Sequence, residues 1–202
     1  MTYLTRIIAD KATILNERLT DGYAWHQALW KCFPNRDNEA RDFLTRVDQI
    51  QDDYQVYLLS CTEPTPSDWG QWSTKTIKDS FLSHPQYRFA LRANPTTKRV
   101  VRDQHGERKK NGQRIAIYDP EALTNWLHRK GKDSGFTILH SEVSPPIARY
   151  FRRKGTTGKH ISVDYQGILQ VDSPTDFERT FSTGIGSAKG FGFGMLMLQP
   201  SH

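Results

Sequence analysis

One order of hydrophobic periodicities is written twice along this chain, and that repetition restricts the fold more than any single motif does. In the first half, Y-L-T-R-I-I-A alternates as a short strand and Asp21 to Phe33 has helical spacing stopped by Pro34. D-F-L-T-R-V-D-Q-I and Q-V-Y-L-L-S-C then read as strands split by a turn at Asp52-Asp53. A weaker helix is predicted over Ser67 to Phe81, opened by the Ser67-Asp68 pair, and Y-R-F-A-L-R-A-N-P is a strand ended by Pro95. The second half repeats the order. R-I-A-I-Y is a strand, and D-P-E-A-L-T-N-W-L-H-R-K is a helix with Asp119 as N-cap and Pro120 in its first turn. F-T-I-L-H-S-E-V is again a strand. A hairpin follows, with arms P-I-A-R-Y-F-R-R and H-I-S-V-D-Y-Q-G-I-L-Q-V joined by K-G-T-T-G-K. A helix from Asp172 to Phe181 and a last strand M-L-M-L complete the set. Two β-α-β-β-α-β units in tandem place the chain in the α+β class, as two ferredoxin-like halves whose antiparallel sheets carry helices on one face. The expected division is residues 1–95, a linker over 96–112, and residues 113–202.

The last strand is entered through a glycine-rich loop, G-I-G-S-A-K-G-F-G-F-G. Glycine has no Cβ, so Gly184, Gly186, Gly190, Gly192 and Gly194 permit positive φ and let main-chain N–H groups approach an anion, with Lys189 adding a point charge. Two phosphate-binding patterns fail on position. A P-loop needs G-x-x-x-x-G-K-[ST] and a following helix, whereas Lys189 precedes its glycine and a strand follows. The dinucleotide fingerprint G-x-G-x-x-G has Lys189 where its third glycine belongs. K-G-F-G-F, Lys189 to Phe193, matches the start of the RRM (RNA-recognition motif) signature, but that motif sits on the third strand of its domain and here only the last strand remains. The plain alternative is a turn that closes a sheet.

Charge is concentrated rather than spread. Of a net charge of +6, Lys98 to Arg114 holds +5 (Lys98, Arg99, Arg102, Arg108, Lys109, Lys110 and Arg114 against Asp103 and Glu107). Arg149 to His160 holds another +5 (Arg149, Arg152, Arg153, Lys154 and Lys159, with no acid), which leaves −4 on the remaining residues. The protein is therefore an acidic body with two basic patches, one on the linker and one on a hairpin that fits a nucleic-acid groove. Such density is what polyphosphate binding requires; a pair of solvated loops is the alternative for either patch alone. Cys32 and Cys61 lack any metal-ligand or disulfide spacing and are expected to be small buried hydrophobes. No apolar run is long enough to span a membrane and the first ten residues have no signal-peptide pattern, so a cytoplasmic protein is expected.

The first helix carries the candidate chemistry. Tyr23 and His26 are three residues apart on one face, while Trp25, Leu29 and Cys32 form the stripe that packs inward. Histidine titrates near neutrality and exchanges a proton; a tyrosine beside it orients a phosphate or hydroxyl. In RNA the 2′-OH adjoins the scissile phosphate, so positioned acid–base groups suffice for cleavage without a metal. The helix alone leaves open a structural histidine packed under Trp30. His140 and His160 are the other histidines able to face a cleft, and no H-x-H pair is present.

Taken together, these blocks carry a resemblance. Y-A-W-H-Q-A-L-W-K-C-F-P-N-R followed by A-R-D-F-L closely resembles the opening of the CasE family of CRISPR RNA-processing endoribonucleases, Y-x-x-H-Q-x-L-W-x-x-F-P-x-R. F-A-L-R-A-N-P is similar to the family's L-R-A-N-P strand, and G-I-G-S-A-K-G-F-G-F-G-M-L to its C-terminal G-I-G-x-A-K-x-x-G-x-G-L-L loop, with Gly190 and Phe191 at positions where the family varies. The resemblance implies a tandem ferredoxin-like fold and no cofactor. It implies His26 as the catalytic histidine and Tyr23 as its assisting tyrosine. The activity implied is cleavage of precursor CRISPR RNA on the 3′ side of a repeat stem-loop by 2′-OH attack, with His26 as base or acid. The implied partners are the mature guide hairpin, which stays bound, and the other subunits of a Cascade complex, the guide-RNA backbone subunit above all, with target DNA met only through the complex. RNA contacts are expected from Arg149, Arg152, Arg153, Lys154, Lys159 and His160 on the hairpin, and from Lys98, Arg99, Arg102, Lys109 and Lys110 on the linker. Gly186, Lys189 and Gly190 are the contacts expected from the loop.

Two rival classes remain open from sequence. A non-catalytic RNA-binding subunit would share the patches and the glycine loop without needing Tyr23 and His26 on one face. A metal-dependent nuclease would need clustered carboxylates, and Asp52-Asp53 sits in a turn without a third partner.

Overall fold

The computed structural model describes residues 1–34, 36, 41–100, 102, 104, 105, 107 and 112–201. In chain order the elements are β1 (Thr2–Asp10), α1 (Lys11–Asn16), α2 (Gly22–Trp30), β2 (Phe43–Ile50), β3 (Asp53–Ser60), β4 (Gln71–Ile77) and β5 (Gln86–Ala93). They continue as β6 (Thr96–Arg99), β7 (Gln113–Ala116), α3 (Pro120–Lys132), β8 (Phe136–Val143), β9 (Ile147–Arg153), β10 (Thr156–Val171), α4 (Pro174–Thr183) and β11 (Leu196–Pro200). The pairings between these strands are all antiparallel.

The first sheet runs β2-β3-β1-β4, and the main path of the second runs β11-β5-β10-β8. Numbered within each sheet, both are the ferredoxin-like order: the third strand lies between the first two, and the fourth joins the far side of the first. The α+β class and the doubled sheet order are thus present, but the first half lacks the second helix of the expected unit, and two segments differ from expectation. Ser67 to Phe81, expected as a helix, contains β4 and a short 3₁₀ turn at Asp79–Leu82 instead. Q-W-S-T-K-T-I alternates with period two and is rich in β-branched residues, and its partner β1 offers an open edge, with Thr2 opposite Ile77 and Ile8 opposite Gln71. R-I-A-I-Y, expected to start the second half, lies largely in β7, which pairs only with β6 in a two-stranded ribbon. The first strand of the second sheet is β5, assigned from sequence to the first half. Its Tyr87, Phe89, Leu91 and Ala93 are buried against Trp126, Leu127 and Tyr165, whereas β7 is mostly exposed and cannot supply a core face.

The remaining elements follow their signals. Asp21 caps α2 by accepting from the Tyr23 and Ala24 amides, and Asp119 caps α3 through the Ala122 amide. The basic hairpin is tighter than its glycines suggest: β9 and β10 run on until Lys154 and Gly155 alone connect them, at φ 48° and 76°. A two-residue turn with both φ positive matches the strand twist, so Lys159 sits on the strand opposite Tyr150, not at the tip. Cys32 is buried and Cys61 exposed, the latter against expectation, because β3 ends at Ser60.

One face of the first sheet is covered by α1 and α2, with Trp25, Leu29 and Cys32 packed on Ile7, Val56 and Leu58. Its other face, through Leu44 and Leu59, meets Phe181 and Met195 from the second half. The Arg92 guanidinium fastens the sheets together. It reaches Asp48 of β2 at 2.9 Å and Asp164 of β10 at 2.9 Å, and donates to the Val47 carbonyl at 2.7 Å. This junction fixes α2 relative to the hairpin and the glycine-rich loop.

Candidate active site and RNA interface

Three elements converge on the exposed side of α2: its own first turn, the β9–β10 hairpin, and a 3₁₀ turn at Lys189–Phe191 within the glycine-rich loop. The turn fits because Gly22, on α2 beside it, lacks a side chain. A Cβ on Gly22 would meet the Phe191 carbonyl oxygen at 2.9 Å, and one on Gly190 would stand 3.6 Å from Cε1 and Nδ1 of His26. Downstream, Gly194 at φ 86° places its carbonyl and amide against Ile185 and Arg92, where a Cβ would collide with the Ile185 oxygen at 2.5 Å. Gly22 thus lets the loop backbone pass this close to the helix, and Gly194 lets the loop close on Ile185.

His26 is half-buried, with its ring 5.9 Å from Trp30 and 6.1 Å from Phe43. Its Nδ1 is buried without a hydrogen-bond partner, so the imidazole is packed into place rather than tied by a bond. Burial first, then the nearby charges of Arg41 and Arg153, hold its pKa below the ordinary histidine value. Tyr23 lies alongside, stacked on Phe191 at 6.2 Å, with the Arg153 guanidinium 5.8 Å from its ring centre. Arg41 also stands over Phe43 and donates to the Phe43 carbonyl.

The hairpin is bonded to this helix through Asp21. One carboxylate oxygen caps α2, and the other accepts from the Arg152 amide of β9 at 2.9 Å. We expect Asp21→Ala to cost about 1 kcal/mol through the cap alone. It also frees the hairpin from the helix, so a lowered melting temperature should be accompanied by faster amide exchange in β9.

Beneath the hairpin, His160 lies in a ring cluster with Phe151 and Phe191, each centred 4.7 Å away, and Phe193 at 5.6 Å. It is partly buried and lines the cavity that Arg149 also borders, and burial depresses its pKa. Both His26 and His160 titrate below their unfolded value. The folded state thus binds fewer protons, and the stability that these neutral rings contribute is complete above pH 6.5 and declines as pH falls toward the folded values. Thermal melts between about pH 7.5 and pH 5 should show that loss, and His160→Phe should remove part of it.

The structure brings together His26, Tyr23, Arg153, Lys189 and Gly190. Arg149 lines a cavity between the hairpin and α1, while Arg152, Lys154 and Lys159 are exposed along the hairpin. Lys98 and Arg99 are on the β6–β7 ribbon, Arg102 is exposed just beyond it, and Lys98 shares a second cavity with Gly186 and Lys189. Arg108, Lys109 and Lys110 lie outside the described residues. Sequence reasoning missed Arg41, Asp21 and Phe191 as members of the site. Arg41 stands inside the A-R-D-F-L run, but periodicity alone gives no sign that a residue before a strand turns toward a helix. Among the described residues no group of three His, Cys, Asp or Glu side chains is placed to hold a metal ion, and no helix is long and apolar enough to cross a membrane.

Comparison with known proteins places the sequence and the fold. Residues 2–200 match the family model described as CRISPR associated protein. The chain is 30% identical to the CRISPR system Cascade subunit CasE of Escherichia coli K12, over 98% of this chain and 99% of that one. It is 27% identical to the CRISPR-associated endoribonuclease Cse3 of Thermus thermophilus, over 98% of this chain and 100% of that one. The fold superposes on the structure of CRISPR endoribonuclease Cse3 bound to 19 nt RNA with a TM-score of 0.81, at 24% identity and covering 98% of this chain and 100% of that one. With matches that run from the first strand to the last, the chain belongs to the CasE/Cse3 family of CRISPR-associated proteins.

Proposed function

We propose that the chain is an endoribonuclease that cuts precursor CRISPR RNA on the 3′ side of a repeat stem-loop without a metal. On this reading it remains on the guide hairpin as a subunit of a Cascade-type complex in the cytoplasm. The observation that carries the proposal is the His26 imidazole set against the Gly190 backbone and flanked by Arg41 and Arg153, the latter next to the turn of the basic hairpin. The hairpin's outward Arg152, Lys154 and Lys159 suit the shape and phosphates of an RNA stem, whose deep groove is too narrow for base reading. A scissile phosphate beyond the stem then lies over α2.

The lowered pKa favours neutral His26 in the free protein, which suits a general base. With Nδ1 buried, proton transfer falls to Nε2. It takes the 2′-OH proton as the 2′-oxygen bonds to phosphorus. The bond to the 5′-oxygen breaks, and that oxygen takes a proton from solvent water as it leaves, giving a 2′,3′-cyclic phosphate and a 5′-OH, while the His26 imidazolium returns its proton to solvent. Arg41, Arg153 and Lys189 supply positive charge where the phosphorane gains negative charge, and Tyr23 orients the phosphate. The low His26 pKa rises once RNA phosphates offset the two arginines, strengthening the base in the complex.

The test is cleavage of a labelled CRISPR repeat stem-loop in EDTA, beside the same RNA with a 2′-deoxy sugar at the cut. Cleavage of the first and none of the second is expected. Cutting of the deoxy substrate, or dependence on added metal, would overturn the mechanism; tight binding without any cut would leave a guide-holding subunit.

A further inference from the structure

On the far side of the Lys189–Phe191 turn from His26 lies a second cavity, about 590 Å³ in volume, between the C-terminal part of α3, α4 and the β6–β7 ribbon. Its basic lining residues are Lys98, Arg114, Arg129, Lys130, Arg179 and Lys189, against the single carboxylate of Asp133. Two of these cations have acidic neighbours on their own helix or just past its end: Lys130 reaches Asp133 at 3.4 Å and Arg179 reaches Asp176 at 2.7 Å. Lys98 and Arg114 are directly opposite each other across the ribbon, a like-charge pairing that costs stability unless an anion lies between them. Trp126, the aromatic residue in the lining, is 3% exposed and packs its ring against Tyr165, so the cavity presents charge and hydroxyls rather than a stacking face.

The cavity is electrostatically continuous with the proposed cleavage site. Lys189 donates to the Thr183 carbonyl at 2.7 Å and lines the cavity, while the next residue, Gly190, borders His26. Burial lowers the Lys189 pKa, and so do Arg41 on the His26 side and Lys130 on the cavity side. Positive potential therefore runs from the hairpin through His26 and around the turn. A volume of this size admits one or two nucleotides and no helix, and a lining without an open aromatic face suits phosphates over bases.

We propose that this cavity binds the phosphodiester backbone of the single-stranded RNA that continues past the cut, on the side away from the stem-loop. The inference rests on the endoribonuclease reading for the direction of the strand. It assigns a role to Arg114, Arg129, Lys130 and Arg179, which that reading leaves without one. Binding there is sequence-independent, and it holds the departing strand taut across His26 until the 5′-oxygen leaves.

The experiment compares two RNAs, each with a 2′-deoxy sugar at the cut: the repeat stem-loop ending just past that sugar, and the same RNA with a short unpaired 3′ extension. The extension should tighten wild-type binding on the order of 10-fold at low salt, and steepen the salt dependence by about 0.7 in log–log slope for each phosphate engaged. The triple variant R129A/K130A/R179A should lose both gains while binding the shorter RNA like wild type. That unchanged binding also reports that the variant is folded; if it fails, R179Q alone should lose part of the gain. An extension that adds nothing to wild type, or a gain that survives the triple variant, overturns the proposal. So does uptake of inorganic phosphate by the cavity with no gain from the extension. A wild-type protein that ignores the stem-loop altogether overturns the endoribonuclease reading instead, and the extension offered alone to wild type and triple variant then decides the cavity.

Discussion

Replacing His26 with alanine should lower the single-turnover cleavage rate by about 10²–10⁴-fold, the range that one general acid–base group contributes. Affinity for the stem-loop should change little, because the hairpin arginines that would carry binding are on β9 and not on α2. The pH profile separates a proton-transfer role from a packing role. If neutral His26 is the base, the rate for free enzyme and RNA rises with pH through a midpoint below 6.5, since burial, Arg41 and Arg153 depress its pKa. It then levels off near neutrality. His26→Ala should flatten that limb as well as lower the rate. A histidine that only packed under Trp30 would change the melting temperature and leave the limb in place. Retention of wild-type cleavage by His26→Ala would end the assignment.

Gly190 is the second site where a large effect is expected, and it acts through geometry. Its backbone is not in the left-handed region, and a methyl group there would sit 3.6 Å from the imidazole, an ordinary contact. Gly190→Ala should therefore fold normally and keep most of its activity. Gly190→Leu adds a branched apolar side chain on the side where Nδ1 is already enclosed, so the ring or the turn must shift. A displacement of about 1 Å at a catalytic group costs around 10²-fold in rate. Single-turnover rates for the two variants, measured beside their melting temperatures, test this: the leucine variant should lose rate far more than stability. Equal rates for alanine and leucine would show that the turn yields freely and does not position His26.

Much of the site was legible because its parts lie close together in sequence. Tyr23 and His26 belong to one helix, and the inward stripe of that helix, Trp25, Leu29 and Cys32, reads directly from spacing; the structure buries all three. The glycine-rich loop was equally plain, since so many glycines just before an apolar strand mark a backbone that must pass close to something. Arg41 was different. Only folding brings it near His26, and no local pattern marks which of the chain's many arginines does so. The same limit explains the rings around His160: Phe151 on its own hairpin and Phe191 and Phe193 from the glycine-rich loop pack against it, while it still lines the cavity beside Arg149.

The amino-acid sequence by itself determined the α+β class, the positions of α2, α3 and α4, the Asp119 cap of α3 and the place of the basic hairpin. All of these depend on residues within a turn or two of one another, where side-chain period and backbone preference act directly. Tertiary structure alone decided that Gln71–Ile77 is an edge strand and that β5 belongs to the second sheet, because strand choice is settled by which partner edge is open and which core needs filling. It alone decided, too, that the glycine turn lies against His26. That approach depends on Arg92 joining the two sheets and on the backbone clearance at Gly22, contacts between residues far apart along the chain whose energies exist only once it is packed.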